Sequence, residues 1–117
     1  MTSVSAQTLF DAVVMDQNRT SDVMAVCDAT MLSVLVSSPS GTHVGDVTGE
    51  VSLDRGTTYT TAVQTDGSNS ACSVSASNGS ALEQLWHVQL GGATHFRVAY
   101  AFTSGTGALN AVASKRW

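Results

Sequence analysis

The chain has 117 residues, a formal net charge of −4, and 12% charged against 43% hydrophobic residues, which is the length of one domain with a single core. Its five strong cations, Arg19, Arg55, Arg97, Lys115 and Arg116, form no basic stripe, which excludes nucleic acid as the expected partner. The longest apolar run, around Met31 to Val36, falls far short of the roughly 20 residues that cross a bilayer as a helix, so no membrane partner is expected either.

The N-terminal residues, Met-Thr-Ser-Val-Ser-Ala-Gln-Thr, carry no basic or apolar leader pattern, which points to synthesis in a cytoplasm. Thr8 to Met15, with Leu9, Phe10, Val13 and Val14, reads as a strand or a short helix, with a strand or an extended arm favoured. Asp16 to Asp22 is a polar cluster whose short side chains bond nearby backbone, and so predicts a loop. Val23 to Cys27 is a short strand, and Leu32, Val34 and Val36 alternate with Ser33 and Leu35 in a better one that stops at Ser37-Ser-Pro-Ser-Gly41.

Val47, Gly49, Val51 and Leu53 fall on one face of the next strand, opposite Thr48, Glu50 and Ser52, before Asp54-Arg55-Gly56 turns the chain. Thr57 to Val63 is β-branched and aromatic, which suits a pleated surface. Turns follow at Asp66-Gly67 and Asn78-Gly79, on either side of a strand with Cys72, Val74 and Ala76. In Leu82 to Leu90, Trp86, Val88 and Leu90 share a face with Gln84, opposite Leu85, His87 and Gln89, and the segment from Ser80 has the alternative of opening with a helical turn.

The clearest pattern lies between Gly91 and Ala113. Phe96, Val98, Tyr100 and Phe102 recur at every second residue, the period of a strand burying one face. Thr103 to Gly107 supplies two glycines for a reversal before a second apolar run, and two strands joined as a hairpin are the simplest reading.

The sum is about seven to nine short strands with turn signals between them and a single proline. That predicts an all-β fold, a single antiparallel β-sandwich of jelly-roll or Ig-like type spanning residues 1–117, with 1–15 as an extended N-terminal arm.

Four stretches in order, Thr20 to Val26, Leu32 to Val36, Gly49 to Tyr59 and Phe96 to Thr106, resemble small β-sandwich proteins of tailed-bacteriophage virions. In that group a "DGttW"-like turn and a late "fRv.vt..tSG" strand recur. Asp54-Arg-Gly-Thr-Thr-Tyr stands at the first, with Arg55 before the glycine and Tyr59 for the tryptophan, and Phe96-Arg-Val with Thr103-Ser-Gly matches the second. The resemblance covers roughly Ser21 to Val112. It implies a non-enzymatic virion structural protein made in the host cytoplasm, most simply a capsid decoration (cement) protein that binds the major capsid protein and stabilises the shell, as a homo-oligomer with a trimer favoured. The alternative is a head- or tail-fibre-associated sandwich that binds a host receptor or glycan.

Within that reading, residues 1–15 either complete the sandwich or carry Leu9 and Phe10 to a neighbouring subunit, and Lys115, Arg116 and Trp117 form a polar-flanked aromatic that suits an anchor in a partner. Trp86, sharing its face with Val88 and Leu90, is a core residue. Cys27 and Cys72, too few and too far apart for a metal motif, are expected as buried thiols, with a disulfide as the alternative.

No catalytic, cofactor or metal residues are expected. His43, His87 and His95 lack the spacing that aligns ligands, and read as surface histidines, with His87 and His95 pointing away from the Trp86 and Phe96 faces. No serine lies in a Gly-x-Ser-x-Gly elbow. Most of the nine acids sit in turns, and Asp46, Glu50 and Asp54 lack the dense oxygen loop of a calcium site. Asn18-Arg-Thr and Asn78-Gly-Ser match the glycosylation acceptor pattern, which matters only in a secretory pathway.

Overall fold

A computed structural model describes residues 4–65, 70–76 and 80–117. The turns expected at Asp66-Gly67 and Asn78-Gly79, and the Asn78 acceptor pattern, lie outside the described residues. Among the described residues there are ten strands: β1 (Val4–Val14), β2 (Arg19–Thr20), β3 (Met24–Ala25), β4 (Met31–Ser38), β5 (Val44–Ser52), β6 (Thr60–Thr61), β7 (Ser73–Ala76), β8 (Leu82–Val88), β9 (His95–Ser104) and β10 (Ala108–Arg116). All pairings are antiparallel, in two sheets. One has four strands in the order β1-β10-β4-β8; the other is built on β9 and β5, with β2 and β3 on the outer side of β9 and β6 and β7 on the outer side of β5. The fold is a β-sandwich, as the strand alternation predicts.

Each sheet buries one face, and the period-2 pattern of the sequence decides which. Leu32, Val34 and Val36 of β4, Leu109, Ala111 and Ala113 of β10, and Trp86 and Val88 of β8 point inward from the four-stranded sheet. They meet Val47 and Val51 of β5 and Phe96, Val98 and Tyr100 of β9. Trp86 is the largest fully buried side chain, which bears out its reading as core. The Tyr100 hydroxyl donates to Val44 O at 3.1 Å, so burying the ring leaves no unsatisfied phenol, and burial, then the nearby Asp46 charge, holds its pKa above the usual phenol value.

The hairpin expectation for β9 and β10 is overturned. The two strands lie in different sheets, and Gly105 to Gly107 carries the chain across the edge of the sandwich. Two alternating strands with a glycine-rich link look the same in sequence whether they pair or pack face to face. Here the link is fixed by residues distant in sequence, in the loop before β5 and just after β1: Thr42 N donates to Thr106 O at 2.9 Å, Thr106 N to Thr42 Oγ1 at 3.0 Å, and Met15 N to Gly107 O at 2.9 Å. Gly105 has φ +77°, and a Cβ there would collide with the Thr42 carbonyl.

Other departures have local causes. Phe102, expected inward, is exposed: burial along β9 stops at Tyr100, and Ala101 to Ser104 form its exposed end. Leu53 is exposed because β5 ends at Ser52 and the Asp54 turn breaks the alternation. Gln84 keeps inward parity on β8 but borders a shallow opening with Val74 and Leu82. Regular strand in the 57–63 stretch shrinks to Thr60–Thr61, and Leu82 opens in strand rather than helix.

Residues 4–14 are not a free arm. β1 pairs with β10 from Val4↔Arg116 to Val14↔Ala108, and Leu9 and Phe10 are buried in this domain's own core. Cys72 is buried, as expected, but Cys27 is exposed: Met24 and Val26 take the inward positions of that segment, and the thiol falls outside. The two cysteines are not bonded to each other.

Candidate docking surface

The antiparallel register arranges the outer face of the four-stranded sheet in rows. Val4, Arg116 and Met31 make the first, and Ala6, Ser114, Ser33 and His87 the second. Thr8, Val112, Leu35 and Leu85 make the third, and Asn110, Ser37 and Glu83 the fourth. In the third row Val112, Leu35 and Leu85 are 41%, 42% and 56% exposed, a continuous apolar ridge across three strands. Isolated apolar residues on a surface are ordinary; a contiguous set on one flat face marks an interaction surface.

The ridge is bordered by small hydroxyl and amide groups. On its other side Val4, Met31, Ser33, His87, Ser114 and Arg116 line a depression of about 280 Å³. Ser33 Oγ and His87 Nδ1 are 3.0 Å apart on its floor. Across the four rows the only formal charges are Arg116 in the first and Glu83 in the last. The middle of the face is therefore cheap to desolvate, and a charged centre is what most opposes docking.

The strand edges of this sheet are less open to a partner than its face. β1 carries register shifts between Thr8 and Phe10 and between Phe10 and Val13, with Ala12 at φ +50° and its N–H bonded to Asn110 Oδ1 at 2.8 Å. Bulges of this kind bend an edge away from strand addition. At β8, Thr65 N bonds His87 O and Gln89 N bonds Val63 O, so the 63–65 segment covers that edge.

The sequence-selected contact residues divide. Leu9 and Phe10 are committed to the core. Lys115 Nζ donates to Ala25 O at 2.8 Å and to Asp28 Oδ1 at 3.0 Å, fastening β10 to β3 and to the loop before β4. That hydrogen bond is the main cause holding Asp28 below its ordinary carboxylate pKa. Arg116 borders the depression, while its carbonyl accepts from Thr30 N and Oγ1. Trp117 is 43% exposed, with the Lys115 ammonium 5.3 Å from its ring centroid. Leu35, Leu85 and Val112 were missed, because an apolar residue at an outward position looks like noise until the register aligns three of them.

His87 and His95 do point away from the core, but His43 is buried, contrary to its reading as a surface residue. Its Nε2 lies 3.4 Å from Ser38 Oγ, and its Nδ1 finds no partner among the described residues. Asp46, Glu50 and Asp54 go separate ways: Asp46 accepts from Ser75 Oγ, Glu50 from Arg97, and Asp54 holds its own turn. Among the described residues no group of three or more His, Cys, Asp or Glu side chains converges on a metal site, and no helix is long and apolar enough to cross a membrane.

No protein-family model matches the sequence, and no curated protein matches it. Solved structures do. The SPBc2 prophage-derived protein YomS superposes with a TM-score of 0.66 at 14% identity, covering 97% of this chain and 95% of that one. The PBSX exported protein XepA superposes with a TM-score of 0.69 at 17% identity over 99% of this chain, which spans 38% of XepA. At these identities the likeness is one of fold; YomS is a prophage-derived protein and XepA an exported one.

Proposed function

We propose that this chain is a non-enzymatic structural protein of a phage particle that decorates the capsid, docking on the major capsid protein through the outer face of its four-stranded sheet. The observation that carries the reading is the exposed ridge Val112–Leu35–Leu85 on a face whose centre holds no formal charge. The prophage origin of YomS supports the phage context. A decoration protein makes the same modest contact many times over a lattice, so each copy needs only a small uncharged patch, and valency supplies the strength. A homo-oligomer, with a trimer favoured, adds to that valency. Trp117, half-exposed beside the Lys115 side chain at the end of β10, is a second candidate contact.

The test is to mix the purified protein with expanded, undecorated capsids of the parent phage and count bound copies after sedimentation. Binding that saturates at a fixed number of copies per capsomer supports decoration. A lack of saturable binding argues against it and favours a fibre or tail station.

A further inference from the structure

We propose that the outer face of the other sheet binds a short neutral oligosaccharide. This site lies on the opposite side of the sandwich from the docking face and is independent of it. Four small residues stand in register across four strands there, Thr20 on β2, Ala99 on β9, Thr48 on β5 and Ser73 on β7. The short side chains of Thr20, Ala99 and Thr48, with Thr61 beside them, make a floor. Longer ones rise at its ends: Arg97 and Glu50, neighbours across β9 and β5, on one side, and Asn18 on the other, while Arg19, paired with the inward-facing Tyr100, closes the rim at the edge of β2. The trough between them is about 450 Å³, within the roughly 300–1,000 Å³ typical of ligand clefts.

The chemistry of the walls selects the ligand class. Arg97 Nε bonds Glu50 Oε1 at 2.8 Å and Arg19 bonds Asp16 at 2.9 Å, so each guanidinium already has its counter-charge. A phosphate or carboxylate would find each positive charge already matched, and would have to lie beside the Glu50 or Asp16 carboxylate. A sugar hydroxyl, which donates and accepts at once, can use the remaining guanidinium N–H groups, the carboxylate lone pairs and the threonine hydroxyls without breaking either pair. The Arg97 guanidinium also stacks 3.8 Å from the centroid of Tyr59. Held by the ring and by Glu50, it is ordered before any ligand arrives, which lowers the entropic cost of binding. A peptide strand has less to recognise, since β9 and β5 use their backbone groups in the ladder between them and the floor has no deep apolar pocket.

The experiment is an amide chemical-shift titration of the full chain with neutral trisaccharides (maltotriose, cellotriose and chitotriose) and, in parallel, inorganic phosphate. At least one trisaccharide is expected to shift Thr20, Thr48, Ala99 and Arg97 with a Kd of about 1 mM or tighter. Ala99→Leu, which fills the floor, should weaken that binding at least tenfold while leaving capsid binding unchanged. Should Ala99→Leu disturb the sheet, Thr20→Val, at a two-residue edge pairing, removes a floor hydroxyl instead and should weaken binding about threefold. No shift with any of the three sugars, shifts that map elsewhere, or phosphate moving these amides where sugars do not, would each overturn the assignment.

Discussion

Gly107 leaves the room that the His43 imidazole occupies: a Cβ at residue 107 would run into Nδ1 of the buried ring. The contact ties the crossover between the sheets to the loop before β5, and Met15 N, bonded to Gly107 O, adds the end of β1 to the same junction. Gly107→Ala should therefore cost about 2 kcal/mol or more, the range for overpacking a filled interior. Denaturant unfolding measures it. A midpoint unchanged from wild type would show that the junction yields.

Arg55 occupies φ +63° in the turn after β5, a region that disfavours side chains with a Cβ. Its N–H bonds Thr94 Oγ1, an interaction any residue would keep. Arg55→Gly should raise stability by about 0.5–1 kcal/mol, the strain relieved exceeding the flexibility added to the unfolded chain. Thermal unfolding of the two proteins side by side decides the sign, and a lower midpoint for the glycine variant would contradict the strain argument.

Asp54 closes that same turn. Its carboxylate accepts from the Thr58 hydroxyl at 2.6 Å, the Thr58 N–H at 2.9 Å and the Ser52 hydroxyl at 2.7 Å. These bonds, Thr58 foremost, lower its pKa from 3.8 to about 2. A depressed folded-state pKa means that the unfolded chain takes up the proton first. The stabilisation is thus complete above the unfolded value and disappears as pH falls toward 2. The melting temperature of Asp54→Asn should lie below wild type at pH 6 and converge on it by about pH 2. A constant difference across the series would assign the effect to something other than ionisation.

The cysteines give a chemical check on the strand faces. Cys27 is exposed and Cys72 is in the core. A thiol reagent should modify Cys27 in the native protein and reach Cys72 only on unfolding, since access limits a buried thiol. Equal native rates at both would contradict the placement of β3 and of the segment before β7.

Much of the sandwich was legible in the chain because alternation is a direct record of one-sided burial. Leu32, Val34 and Val36, or Phe96, Val98 and Tyr100, state their inward face without help. Strand partners are another matter. Nothing local to Thr103–Gly107 says whether β10 returns beside β9 or crosses to β4, because the choice is made by Thr42 and Met15, distant in sequence. The docking face was hidden for the same reason. Leu35, Leu85 and Val112 are outward residues of three separate strands, and only the register of β4 with β8 and β10 makes them neighbours. Leu9 and Phe10 were equally ambiguous: an apolar pair near the N-terminus suits an arm or an edge strand, and pairing with β10 decided it.

The most direct measurement is capsid sedimentation with Leu35→Asp beside wild type, after amide spectra and melting temperature have shown that the variant is folded. Leu35 is exposed at the middle of the ridge, so the change should leave the fold intact while placing an unpaired charge at the centre of the contact. The account predicts saturable binding of wild type and at least tenfold weaker binding of the variant. Equal binding of the two would contradict the four-stranded sheet as the face that meets the shell.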